Sequence, residues 1–169
     1  YERGLLYLAR GGKGDREKAH EDLDEALAIF QKVGAKKDVE KVISQFADAA
    51  RRSLEAGFQV VEIHMAHGYL IQQFLSPLSN KRMDRYGGGL EGRSRFALEI
   101  LKGIRQEVGN DYPITCRLCG DEFVRGGIDL KEAIETSRLL EGQGLDAIEG
   151  SAGTHETPQI MSAPSHFPM

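Results

Sequence analysis

The hydrophobic positions change period along the chain. Ala19, Leu23, Ala26, Leu27, Phe30 and Val33 fall three and four apart, the spacing of one helix face. Asp15 suits the N-cap, Glu17 the first turn and Gly34 the C-cap. Leu5, Leu6 and Leu8 form a shorter apolar stretch, broken at Gly11, Gly12 and Gly14. The first third therefore predicts a helical hairpin. A further helix is expected over 38–56, with Val39, Val42, Ile43, Phe46, Ala49, Ala50 and Leu54 as its buried stripe and Gly57 as its stop. The run Phe58-Gln59-Val60-Val61-Glu62-Ile63 is short, β-branched and mostly apolar, as a buried parallel strand is. Helices are predicted again over 93–108 and 130–140, and strands over 113–118 and 145–148. From residue 38 onward the order is helix, strand, helix, strand, helix, strand. That alternation implies an α/β fold with a parallel sheet and crossover helices, either a barrel or a doubly wound sheet. In both, ligands gather at the carboxyl ends of the strands.

Composition narrows the function classes. The 169 residues carry 22 Lys+Arg against 26 Asp+Glu, a net charge of -4, which argues against a nucleic-acid partner. No apolar run approaches the roughly 20 residues of a membrane span, so no membrane role is expected. Two closely spaced cysteines make no disulfide framework, which favours a reducing, cytoplasmic setting. The chain opens on Tyr1 and stops at Met169, which fits a fragment of something longer.

The chemistry concentrates at the expected strand ends. After the first strand come His64, His67 and Tyr69, with Gly68 permitting a sharp turn. Two imidazoles and a phenol offer donors for a carbonyl or oxyanion and a phenolic proton. A surface loop with incidental histidines and a chelating His pair are the other readings, although no third metal ligand has a recognisable spacing. Arg117, placed at the end of the second strand, suits an electron-rich ligand or a structural ion pair. Cys116 and Cys119 spell C-x-x-C, but residues three apart on a strand point to opposite faces. Gly87-Gly88-Gly89-Leu90-Glu91-Gly92 matches a dinucleotide fingerprint by letter, yet no hydrophobic strand precedes it. A polar ordered loop, in which Asp84, Glu91, Arg93 and Arg95 pair, is the better account. Ser151-Ala152-Gly153 after the third strand allows close approach of a planar ligand or a neighbouring segment.

Taken together these residues resemble the old yellow enzyme family, the NADH:flavin oxidoreductases with an FMN-binding barrel. The resemblance spans about 39–168, roughly three quarters of the chain. It runs from Phe46-Ala47-Asp48-Ala49-Ala50 and Glu55-Ala56-Gly57-Phe58 through the continuous stretch Val61 to Pro77. Asn80, Arg82, Asp84, Tyr86, Gly87, Gly88, Glu91, Arg93, Arg95, Phe96, Arg117, Gly126, Gly127 and Ser151 to Gly153 complete it. It departs at Met65, Gly89, Gly92 and Cys119. The resemblance implies a partial (β/α)8 TIM barrel over 38–169, about its fourth to sixth strands. It implies FMN as cofactor and NAD(P)H as reductant, with reduction of an activated C=C bond in a small unsaturated carbonyl or related substrate. His64 and His67 fall on the family's substrate-binding pair and Tyr69 on its proton donor. Arg117 and His64 fall on cofactor-binding positions. No metal is implied here, and an iron–sulfur cluster would lie beyond Met169. Because a whole barrel needs about 250 residues, residues 1–169 alone are expected to bind FMN weakly or not at all.

Residues 1–37 do not resemble that family. Gly4 to Tyr7, Ala19, Leu23 and Glu25-Ala26-Leu27 resemble one tetratricopeptide repeat, whose exposed face implies a protein partner. The alternative reading is thus an inactive half-barrel fused to a TPR-like interaction module.

Overall fold

The computed structural model describes residues 38–153, so the hairpin expected over 1–37 and the proline-containing tail lie outside the described residues. The chain divides into two compact units, residues 1–41 and 42–169, and the sheet belongs to the second. Helix α1 is described over 38–55. It is followed by β1 (Val61–Met65), α2 (Leu70–Leu75), α3 (Leu90–Val108), β2 (Ile114–Asp121), α4 (Leu130–Gly142) and β3 (Ala147–Ala152). The three strands form one parallel sheet in the order β1-β2-β3.

The first strand begins three residues later than the hydrophobic run predicts. Gly57 adopts φ 84°, its N–H donates to the Leu54 carbonyl, and the Phe58 N–H donates back to the Ser53 carbonyl. This left-handed cap satisfies the last carbonyls of α1 and draws Phe58 into the helix end. Phe58 and Val60 are accordingly exposed, although they are apolar. At the other end β1 continues through His64 and Met65, which were expected beyond it. β2 likewise runs to Asp121, so Arg117 lies within the strand rather than at its end. Ser151 and Ala152 belong to β3. Helix α2 has no counterpart in the sequence prediction, because its six residues are too few to display a helical period.

Alternation along the strands separates two faces. Ile63 and Met65 of β1, and Ile114, Cys116 and Leu118 of β2, are buried with Phe96, Ile100, Leu101, Ile104 and Leu140 of the helices. α2 packs against α3 and β1, and α4 against β2 and α3. α1 meets α3 at Gly103, where an added Cβ would lie 3.3 Å from Ile43 Cγ2. Of the residues between these, Glu62 is exposed, and His64, Thr115 and Arg117 are only partly covered.

Polar side chains tie the irregular segments to this frame. Buried Arg93 donates to the Leu75 carbonyl (2.8 Å), to the Gly88 carbonyl (2.8 Å) and to Glu132 (2.7 Å). One residue thus joins α2, the glycine loop and α4. At the amino end of the sheet Arg105 donates to the carbonyls of Gly109, Tyr112 and Gly144 and to Asp146, which also accepts the Ile114 N–H at 2.7 Å. The glycine loop enters α3 at Gly89, and residues 76–89 before it contain no strand. Of the residues expected to pair there, Asp84 engages Arg82 and Arg95 donates to the Arg85 carbonyl. At Gly92 an added Cβ would fall 2.1 Å from the Gly87 carbonyl oxygen, so the loop packs closely on the first turn of α3 there.

These contacts make two stability differences measurable. A Cβ at Gly87 would sit 2.0 Å from the Arg82 carbonyl oxygen, whereas Gly89 faces open space. Gly87→Ala should therefore cost about 3 kcal/mol in urea unfolding, while Gly89→Ser should stay near wild type. The Ile114 N–H and the Arg105 guanidinium hold the Asp146 carboxyl below its ordinary value of 3.8. Its stabilising contribution is present above that value and lost as pH falls through the lower folded one. Asp146→Asn should be less stable than wild type at pH 7, and that gap should narrow in urea titrations as pH falls below 3.8.

Candidate functional site at the carboxyl end of the sheet

Parallel pairing sets three polar residues side by side. His64 pairs with Arg117, and Arg117 with Glu149. Partners in a ladder share a face, so an imidazole, a guanidinium and a carboxylate form one row on the face away from the helices. Arg117 Nη2 donates to Glu149 Oε1 at 2.5 Å, and this bond draws the Glu149 carboxyl below its usual range. Arg117 Nε–H is buried and makes no hydrogen bond. The ion pair foreseen as one reading of Arg117 is therefore present, and a donor is left over.

One step beyond the row the chain turns sharply. His67 has φ 60° and Gly68 φ 73°. A left-handed histidine costs ~1–2 kcal/mol of local strain, so the surroundings must hold it. Its Nε2 lies 2.5 Å from Ser151 Oγ on β3, and the tautomer decides which of the two donates. The turn folds the three rings together: the His64 and His67 centroids are 5.1 Å apart, and those of His64 and Tyr69 5.2 Å. Tyr69 then starts α2 in extended backbone and is 54% exposed, which leaves the phenol reachable from solvent. His64, His67, Tyr69, Arg117 and Ser151, all singled out in the sequence, are thus gathered into one neighbourhood.

Three participants were not anticipated. Glu149 completes the row. Gln72 and Glu122, both buried, lie beneath the turn. The Gly68 N–H donates to Gln72 Oε1 at 2.8 Å, and Gln72 Nε2 donates to Glu122 Oε1 at 2.8 Å. Glu122 carried no sequence signal, because the strand was predicted to end at residue 118 and only the structure extends it to Asp121.

The cysteines form a separate matter. Burial pushes the Cys116 thiol up to about 12, with Glu62 adding to it, and the Cys119 thiol up to about 11, with Glu122 adding to it. Both are free and held as thiols rather than reactive thiolates. Among the described residues no group of three or more His, Cys, Asp or Glu is placed to hold a metal ion. No helix among them is long and apolar enough to cross a membrane.

The donor set fits a flavin's pyrimidine edge, which offers carbonyl oxygens and ring nitrogens as acceptors. Arg117, on the row's face, carries the unmade hydrogen bond as one such donor.

Comparison with known proteins gives this geometry its context. The NADH oxidase of Thermoanaerobacter brockii is 46% identical over 130 residues, which is 77% of this chain and 20% of that protein. The solved complex of a 2-naphthoyl-CoA reductase with 2-naphthoyl-CoA is 41% identical, with a TM-score of 0.70 over 73% of this chain and 19% of that one. An old yellow enzyme homologue from Zymomonas mobilis is 26% identical, with a TM-score of 0.61 over 74% of this chain and 39% of that one. The chain thus spans between about a fifth and two fifths of the length of these relatives. The structural neighbours are TIM barrels, so the three parallel strands and their helices are an arc of a barrel rather than part of a doubly wound sheet. The model of the NADH:flavin oxidoreductase / NADH oxidase family matches residues 10–165. That match enters the segment read as a TPR-like hairpin, and the comparisons support neither the repeat nor the protein partner expected from it. With nearly its whole length matched, this chain belongs to the NADH:flavin oxidoreductase / NADH oxidase family of oxidoreductases.

Proposed function

We propose that this chain supplies the substrate-facing part of an FMN-dependent NAD(P)H oxidoreductase that reduces activated C=C bonds. The observation that carries this reading is the convergence of His64, His67 and Tyr69 beside the Arg117 row at the carboxyl end of parallel strands. Arg117 would hold the pyrimidine edge of FMN, with its unused Nε–H as one donor, and His64 would border the same group. When bound, FMN supplies the hydride that it has taken from NAD(P)H. The protein's part is to hold the substrate and manage its charge and its proton. His64 and His67 donate to the substrate carbonyl or nitro oxygen, where negative charge develops as hydride reaches the β-carbon. Fixed donors aimed at that oxygen act where they lower the barrier most. Ser151 holds the His67 ring in place at Nε2, and Nδ1 would be the nitrogen that donates to the substrate. The Tyr69 phenol gives its proton to the α-carbon, so one hydride and one proton complete the saturation.

The substrate class is a small molecule with an electron-withdrawing group conjugated to the double bond. Membership of the family and the 2-naphthoyl-CoA held by one similar structure, a conjugated thioester, support that class.

Separating the two half-reactions tests the assignment. In a full-length, FMN-loaded version Tyr69→Phe should slow alkene reduction about 100-fold or more, the usual contribution of a positioned general acid. Flavin reduction by NAD(P)H should be unchanged in stopped-flow absorbance. Equal loss in both half-reactions removes Tyr69 from the proton-donor role.

A further inference from the structure

The turn that gathers the site is held from below by a buried chain of hydrogen bonds. Glu122 is 2% exposed and Gln72 is fully buried. Glu122 accepts at both oxygens. Gln72 Nε2 donates to Oε1 at 2.8 Å, while Ser76 Oγ and the Ile128 N–H both donate to Oε2 at 2.7 Å. The Glu122 N–H donates in turn to the Ile128 carbonyl at 2.9 Å, which locks the residue to the segment entering α4. Gly127 lies so close that a Cβ there would fall 2.6 Å from Glu122 Oε2. The carboxylate therefore has a single available orientation.

That orientation fixes the next link. A glutamine amide has one accepting end and one donating end. With an acceptor at Glu122 Oε1, Gln72 must present its nitrogen to Glu122 and its oxygen to the Gly68 N–H. Gly68 lies between His67 and Tyr69, and its N–H is on the left-handed turn itself. Gln73 Nε2 donates to the Gly68 carbonyl at 2.7 Å, so that residue is held at both ends.

We propose that Glu122 is a positioning residue: through Gln72 it orients the Gly68 N–H, and with it the turn that sets His67 against Ser151 and Tyr69 against His64. Its effect on turnover rests on the reading of Tyr69 and the histidines given above. The hydrogen-bond chain itself does not.

The directionality of the chain makes it testable. In Glu122→Gln the new amide must keep its oxygen toward Ser76 and the Ile128 N–H, which leaves its nitrogen facing the Gln72 nitrogen. If Gln72 turns over to accept, its own nitrogen then confronts the Gly68 N–H. Either way the mismatch appears in the chain that ends at the site. Exchanging the two residues, Gln72→Glu with Glu122→Gln, reverses the middle bond and restores every donor–acceptor pair. Ser76→Ala removes one bond to the same carboxylate and leaves the Gln72 arm intact.

The experiment is amide hydrogen exchange at Gly68 in this chain, alongside steady-state kinetics of a full-length, FMN-loaded version. Glu122→Gln should speed Gly68 exchange about tenfold, as expected for the loss of one hydrogen bond's net contribution. It should lower kcat for alkene reduction while flavin reduction by NAD(P)H is kept. The exchanged pair should return both to near wild-type values, and Ser76→Ala should leave Gly68 exchange unchanged. The proposal is overturned if Glu122→Gln leaves Gly68 exchange unchanged, if Ser76→Ala speeds it equally, or if the exchanged pair is as damaged as the single variant or fails to fold. Should Glu122→Gln alone fail to fold, recovery by the exchanged pair is the supporting result. Absence of alkene reduction in the wild-type enzyme would sink the functional reading, and Gly68 exchange would still decide the role of Glu122.

Discussion

Parallel pairing of β2 with a strand on each side is the constraint from which the site follows. A side chain in a strand has two choices of face, and the ladder makes neighbours share that choice. The apolar residues of β1 and β2 are needed against the helices, so the alternate positions must point the other way. His64, Arg117 and Glu149 then stand in one transverse row because their backbones pair, without any loop to arrange them. A shift of one residue would turn Ile63 and Cys116 outward and drive an imidazole and a guanidinium into the helix-covered side. The cost of burying such groups makes the register robust. In the proposed reaction this row forms the floor of the site, and its rigidity is that of the sheet.

The rings of the proposed site need more than a sheet supplies, since His67 and Tyr69 lie where the ladder has ended. Backbone groups in such segments lose their regular partners and must find others. The fold answers with buried side chains of fixed polarity. Arg93 collects carbonyls that α2 and the glycine loop leave open. Glu122 collects donors from two separate stretches of chain and transmits its polarity through Gln72 to Gly68. The strained φ of His67 is sustainable because its neighbour is held in this way and its ring is engaged by Ser151. The groups that make the loops structurally complete are also those that bring the His67 and Tyr69 rings to 5.1 and 5.2 Å from the His64 ring.

Much of this was legible in one dimension. The alternation of periods from residue 38 onward marks a parallel α/β unit, because a strand buried on a sheet and a helix lying over it demand different hydrophobic spacings. The run from Val61 to Pro77 singles out His64, His67 and Tyr69, since two imidazoles and a phenol beside a flexible glycine are chemically conspicuous wherever they fold. Arg117 was legible as a candidate but not in its place, for nothing local shows that β2 continues to Asp121. The late start of β1 was equally hidden: Phe58 and Val60 read as strand, and a backward hydrogen bond to Ser53 overrides them.

By itself, then, the order of residues determined the class of fold, the helix-facing positions and the residue types from which a site could be built. Those are consequences of period and of side-chain chemistry, which each residue carries alone. Tertiary structure decided the rest. It put Glu149 beside Arg117, Ser151 against His67, and Glu122 beneath a turn more than fifty residues away in the chain. Such pairings depend on strand register and on which end of an amide finds an acceptor, and those are properties of assembled neighbours that no single stretch of sequence contains.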